Sequence, residues 1–141
     1  MKRTGYLLDS NVLMHVANMA EGHERILEKL TVLESHCFIS AITAHELRFK
    51  IETGPGKVKA ANIAKLGQVL KLFKCLEFPC RAALRAAVLR ATLSRAGKTI
   101  GYADALIAAH ACEIGYVCVT DNVSEYRRLA GLAIENWRAD S

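Results

Sequence analysis

The sequence predicts an α/β fold built on a central, mostly parallel sheet of about five strands. Short apolar or β-branched runs alternate with longer segments of helical period, the order expected when helices carry the chain from one parallel strand to the next. The chain has 141 residues, 52% of them hydrophobic. That is enough to bury a core without disulfides or a structural metal. No repeat, linker or low-complexity tract divides it, so a single domain over residues 1–141 is expected.

The first strand is expected over Gly5 to Leu8, closed by Asp9. A helix follows over Glu24 to Leu33, where Ile26, Leu27, Leu30 and Leu33 recur at the spacing of one helical face. The β-branched run Cys37 to Ile42 reads as the second strand. The one strong breaker, Thr53-Gly54-Pro55-Gly56, reads as a turn between helices. Beyond it, Val58 to Phe73 presents Leu66, Val69, Leu70 and Phe73 on one face. A third strand is expected over Cys75 to Phe78. The helix over Arg81 to Arg95 is expected to bury the stripe Leu84, Val88 and Ala91 and to turn Arg81 and Arg85 elsewhere. Ala103 to Ile114 is apolar apart from Asp104, His110 and Glu113, as a mostly buried helix would be. Tyr116 to Thr120 and a short edge at Ala133 to Asn136 complete the sheet, and Trp137 reads as a packing anchor.

Charge is unevenly distributed. The chain carries a formal +5, but residues 48–98 hold twelve Lys or Arg against only Glu52 and Glu77. Such asymmetry suggests a polyanionic partner, and Arg81 and Arg85 are candidates within the basic segment to bind it. The plainer reading of that segment is a solvated face. Met1-Lys2-Arg3 runs directly into the first strand without a signal-peptide core, and charges interrupt the apolar stretches, so no membrane span and a cytoplasmic location are expected. Cys37, Cys75, Cys80, Cys112 and Cys118 contain no CxxC pair and read mostly as reduced core residues. His15, His23, His36, His45 and His110 supply no finger-like spacing, which argues against soft-metal binding.

Several catalytic templates are excluded. Gly56-Lys57 lacks the glycine of a phosphate loop, since Ile51 occupies its place. His45-Glu46 lacks the second histidine of HExxH, and no GxSxG elbow occurs. Four acids remain at element ends: Asp9 after the first strand, Glu46 just past the second, Asp104 in the first turn of the buried helix and Asp121 after the fourth strand. Each alone has an ordinary explanation, Asp9 and Asp121 as caps or turn residues, Glu46 as partner of Thr43 in a capping box, Asp104 as a match to the helix dipole. Together they converge outside the carboxyl ends of the strands, where open parallel sheets bind ligands. Crowded carboxylates resist ionising unless something positive neutralises them, and their hard oxygens suit Mg2+, with Mn2+ able to substitute. An ion there suits phosphodiester hydrolysis. Ser10, Thr43 and Thr120 could orient water at such a site or serve as caps, and Asn122 could orient water too. His110, nearly two turns beyond Asp104 and offset in azimuth, reads as a core or interface histidine rather than a general base.

Leu8-Asp9-Ser10-Asn11-Val12-Leu13, then Ile39-Ser40-Ala41-Ile42-Thr43 with Glu46, then Ile100-Gly101 with Asp104 and Ile107-Ala108-Ala109-His110-Ala111 resemble successive PIN-domain motifs. The stretch Val119-Thr120-Asp121-Asn122, Glu125-Tyr126, Gly131-Leu132 and Glu135-Asn136-Trp137 is similar to the ends of VapC-type toxins. The resemblance covers nearly the whole chain and leaves only residues 50–95 nondescript. It implies a PIN-like three-layer sandwich and a metal-dependent endoribonuclease that cleaves structured RNA such as tRNA or rRNA. It further implies a cognate VapB-like antitoxin as silencing partner and, together with the mean hydropathy of +0.15, a homodimer. By position, Asp9 and Asp104 match the principal magnesium-binding aspartates, and Glu46 the second acid, which binds metal or assists through water. Ser10 stands where the family more often has Thr. The last acidic position falls on Asp121 or Asn122: VapC-like chains often carry Asn at the place of Asn122, which leaves Asp121 as a fourth catalytic acid or an outward neighbour. A PIN fold that has lost catalysis and serves binding or assembly, or one that cuts DNA or flap structures, would satisfy the same fold expectation.

Overall fold

The computed structural model describes residues 5–129 and 131–138; Met1-Lys2-Arg3, invoked above for the missing signal peptide, lies outside them. The chain begins with β1 (Tyr6–Leu8), α1 (Ser10–Ala17) and α2 (His23–Leu33), then β2 (Cys37–Ser40), α3 (Ala41–Thr53) and α4 (Lys59–Leu72). It continues through β3 (Lys74–Leu76), α5 (Cys80–Arg95), α6 (Tyr102–Ile114), β4 (Val117–Val119), α7 (Val123–Tyr126) and β5 (Ile134–Glu135). The five strands form one sheet in the order β3-β2-β1-β4-β5, and every pairing is parallel. The chain thus builds outward from β1 to β3 and then returns to the other side of β1. That return makes the β1/β4 boundary the switch point of the sheet, where a crevice opens beyond the strand ends.

Two cores flank the sheet because successive strand residues face opposite ways. Leu7 and Cys118 point to the side covered by α5 and α6, where they pack with Leu93, Ile107, Ala108 and Tyr126. Leu8, Ile39 and Val119 point to the other side, towards Val12, Ile26, Leu30 and Phe73. Trp137 joins that second core at 3% exposure and rests against the Tyr6 ring at 5.2 Å, an anchor as its apolar bulk predicts. The result is a helix–sheet–helix sandwich.

Strand ends fall short of the apolar runs where a helix cap intervenes. β2 stops at Ser40 rather than Ile42 because the Ser40 hydroxyl accepts a hydrogen bond from the Ile42 amide and starts α3. With Ser40 at the cap, Thr43 and Glu46 are not a capping box. β3 starts one residue before its run and ends two residues short of Phe78, ahead of Pro79, the cap of α5. The stripe expected on α5 is overturned: Leu84 and Val88 are 65% and 67% exposed, whereas Ala82, Ala86 and Leu93 are buried. The alanine face lets α5 lie close against α6, itself lined with Ala105, Ala108 and Ala109, and the bulkier residues face outward. Leu27 and Leu70 also stay exposed. The five cysteines are free; Cys37 and Cys118 are buried and Cys80 is exposed. Among the described residues no helix is long and apolar enough to cross a membrane.

Candidate active site

Asp9 stands at the switch point. Its amide donates to the Val119 carbonyl at 2.9 Å, which pins the end of β1 to β4, and its extended backbone makes it the cap of α1. The carboxylate is 0% exposed. One oxygen accepts from the Ser10 amide at 2.8 Å and the other from the Thr120 hydroxyl at 2.9 Å. Thr120 is held in turn, since its Oγ1 accepts from the Asn122 amide at 3.0 Å. Burial pushes the Asp9 carboxyl up to about 7, and the nearby Asp104 and Glu46 push the same way, against the two hydrogen bonds.

Glu46 approaches the crevice from α3. Its Oε1 accepts from the Ser10 hydroxyl at 2.8 Å, so Ser10 joins the first and second acids: its amide serves Asp9 and its hydroxyl serves Glu46. Asp104 sits in the first turn of α6. Burial raises its carboxyl above the ordinary value, as do Glu125 and Glu46, while weak contacts from the Tyr126 hydroxyl (3.4 Å) and the Asn122 amide (3.5 Å) oppose the rise. A side chain at position 101 would meet Asp104 Oδ2 at 3.1 Å, so Gly101 leaves that oxygen room.

Asp9, Glu46 and Asp104 therefore lie within electrostatic reach of one another, and Ser10, Thr120 and Asn122 hold them. Asp121 does not join them. Its Oδ2 accepts from Arg138 Nη1 at 2.9 Å and lies 3.1 Å from His15 Nδ1, a close approach without hydrogen-bond alignment. Arg138 also donates to the Glu21 carbonyl, so Asp121 belongs to a tie between α1, the following turn and the C-terminal segment. The acid that does come near is Glu125, which accepts from the Gly101 amide at 2.8 Å and from Asn122 Nδ2 at 2.7 Å. Sequence reading noticed Glu125 only as part of a family-like tail. The available signal was its place in the short helix after β4, three residues beyond Asn122 and therefore on the same side.

Thr43 spends its hydroxyl on the Leu8 carbonyl at 3.5 Å and offers nothing to the acids. His110 is 1% exposed and lies 2.9 Å from Ser40 Oγ with its charged form disfavoured by burial, a core histidine. Arg81 and Arg85 are at the start of α5 and reach Glu113 at 3.9 and 3.3 Å. Glu113 is nine residues along α6 from Asp104, about 13 Å at 1.5 Å per residue, so the pair stands at the far end of that helix.

Among the described residues no three His, Cys, Asp or Glu side chains form a ready metal cage. The donor set nevertheless suits magnesium. It is oxygen only, burial and neighbouring carboxylates raise Asp9 and Asp104, and magnesium in general is held by one or two carboxylates while it retains water and takes up substrate phosphate oxygens. A separate groove between α1, α3 and α4, walled by Leu13, Ile51, Val58 and Leu66, contains none of the acids.

Residues 6–132 match the model of the PIN domain family. The chain is 31% identical over 132 residues to the tRNA(fMet)-specific endonuclease VapC of Salmonella typhimurium, covering 94% of this chain and 97% of that protein. It is 31% identical over 133 residues to ribonuclease VapC2 of Rickettsia felis, with the same coverage. Its fold superposes on two solved structures: DNA-bound VapBC from Salmonella typhimurium at a TM-score of 0.84 (31% identity, 96% of this chain and 99% of that one) and FitAcB from Neisseria gonorrhoeae at 0.79 (31%, 94% and 97%).

Proposed function

The chain belongs to the PIN domain family, and on that footing we propose that it is the toxin of a VapBC-type pair, a magnesium-dependent endoribonuclease that hydrolyses phosphodiester bonds of structured RNA such as tRNA or rRNA. The observation that carries this reading is the mutual electrostatic burden of Asp9, Glu46 and Asp104 at the β1/β4 switch point, which a divalent ion relieves.

Asp9 and Asp104 would hold the ion, with Glu46 binding it or acting through water. When bound, magnesium supplies Lewis-acid stabilisation of the phosphoryl oxygens; Mn2+ can substitute. The protein's own residues supply orientation. Thr120 and the Ser10 amide fix the two oxygens of Asp9, the Ser10 hydroxyl aims Glu46, and Asn122 bridges Glu125 to Asp104. Such a framework costs little reorganisation when substrate arrives.

The relatives in VapBC complexes support a VapB-like antitoxin as partner. For self-association, the outward Leu84 and Val88, one turn apart on α5, offer an apolar patch that an isologous homodimer would bury. Leu84→Asp with Val88→Asp should leave a monomer in sedimentation, and an unchanged dimer would place the contact elsewhere.

The test is hydrolysis of tRNA, rRNA fragments and DNA side by side after chelation and restoration of Mg2+ or Mn2+. Asp9→Asn, Glu46→Gln and Asp104→Asn should each lower the RNA cleavage rate at least 100-fold with circular dichroism unchanged. A folded variant that cleaves at the parent rate sinks the site assignment. Cleavage of DNA alone sinks the substrate.

A further inference from the structure

The chain contains four Phe, four Tyr and one Trp. All are buried or half-buried except Phe49, 59% exposed, and Tyr102, 63% exposed. A single exposed ring is ordinary on a protein surface. Here the two exposed rings line one cleft of about 420 Å3 between α3 and α6, and Glu46 lines it with them. Phe49 follows Glu46 by three residues on α3, the spacing of neighbours on one helical face, and Tyr102 precedes Asp104 by two at the start of α6. The exposed aromatic surface is thus concentrated beside Glu46, at the end of α6 that carries Asp104.

A cation lies over one ring and a second lines the cleft. Arg90 lies over Tyr102, its guanidinium carbon 4.6 Å from the ring centroid. The His45 ring is nearly parallel to Phe49, 12° apart with centroids at 6.3 Å, and Lys50 lines the same cleft. Aromatic faces interleaved with cations are what single-stranded nucleic acid requires: rings stack on unpaired bases while cations meet the phosphates.

We propose that this cleft is a nucleobase subsite, in which an unpaired base next to the scissile phosphate stacks against Phe49 and Tyr102 while Glu46 faces the backbone. The proposal rests on the ribonuclease reading and deepens it. Every base has a π-face, so the subsite selects the unpaired state of the nucleotide rather than its identity. A structured RNA would accordingly be cut in a loop or bulge.

The experiment uses the full chain with Asp9→Asn, in chelator, and a short RNA carrying 2-aminopurine beside the bond that the parent cleaves, or at each loop position in turn if no cleavage is seen. Binding should quench the fluorophore. Phe49→Leu and Tyr102→Leu, which keep apolar bulk without an aromatic face, should each weaken binding roughly tenfold and reduce the quench, whereas Phe49→Trp and Tyr102→Phe should preserve both. An abasic nucleotide at the same position should weaken binding by a similar factor, with no further loss in Tyr102→Leu. Unchanged affinity and quench in both leucine variants overturn the subsite. So does loss of antitoxin or self-association without loss of RNA binding, which would assign the cleft to a protein. Quenching by a parent chain that hydrolyses no RNA would refute the nuclease reading and leave the subsite standing; cleavage indifferent to both rings would do the reverse.

Discussion

Replacing Asp9 by Asn should stabilise the metal-free protein at pH 8. The fully buried Asp9 carboxyl is raised from 3.8 to about 7. A folded pKa above the unfolded one means that the native state keeps a proton the unfolded chain has already lost, so stability falls as pH rises from about 4 to about 7 and the full cost persists above that. Three units at 1.36 kcal/mol each make that cost about 4 kcal/mol. Asparagine removes it but keeps the shape, still able to accept from the Ser10 amide. What it loses is the second acceptor for Thr120, about 1 kcal/mol. The net gain is about 2–3 kcal/mol, or roughly 6–12 °C in Tm for a chain of this size. Urea or thermal denaturation followed by circular dichroism in chelator would measure it. The gap between variant and parent should shrink by more than half at pH 5 and close towards pH 4. Magnesium should then stabilise the parent at pH 8, by about 2.7 kcal/mol at a hundred times its Kd, and leave the variant unmoved. A variant no more stable than the parent at pH 8 in chelator would refute the claim that Asp9 is an uncompensated buried charge.

The other expectations follow from which acids share the site. Asp121→Asn should cost about 1–2 kcal/mol of stability, because it weakens the tie to Arg138, yet leave RNA cleavage per folded molecule unchanged; lost cleavage in a folded variant would return Asp121 to the catalytic set. Glu125→Gln should weaken magnesium binding roughly tenfold by titration while the rate at saturating magnesium is retained, and equal affinity would reduce Glu125 to a structural partner of Asn122. Arg81→Ala with Arg85→Ala should leave the log–log salt slope of RNA binding nearly unchanged, since Glu113 engages both and they lie far from Asp104, whereas Lys50→Ala should flatten it by about 0.7. A steep change from the arginine pair would mean that RNA crosses α5.

Where side-chain period and helix caps agreed, the sequence disclosed the architecture. Leu7 and Leu8 face opposite cores because strands alternate, and Asp9, Glu46 and Asp104 could be placed near one another because Asp9 and Asp104 stand at a strand or helix end, and Glu46 in the second turn after one, that a parallel sheet gathers to one edge. The misreadings have a common cause, in that tertiary packing chose between faces that periodicity left equivalent. On α5 both an alanine face and a Leu84/Val88 face recur at helical spacing. Hydrophobicity favours the second, but a close approach to the small residues of α6 favours the first, and packing won. At the end of β4 the choice was between adjacent residues. Asp121 is the stronger ligand by charge, yet the Thr120 hydroxyl bonds both Asp9 and the Asn122 amide, and the turn it builds sends Asn122 inward and Asp121 out to Arg138. An amide therefore occupies the fourth edge of the site, and its two contacts, to Asp104 and Glu125, let a neutral group lie between two acids. A carboxylate at 122 would add a further charge to a cluster whose Asp9 and Asp104 are already hard to ionise. The neutral residue keeps the acids within the range where one hard cation can compensate them.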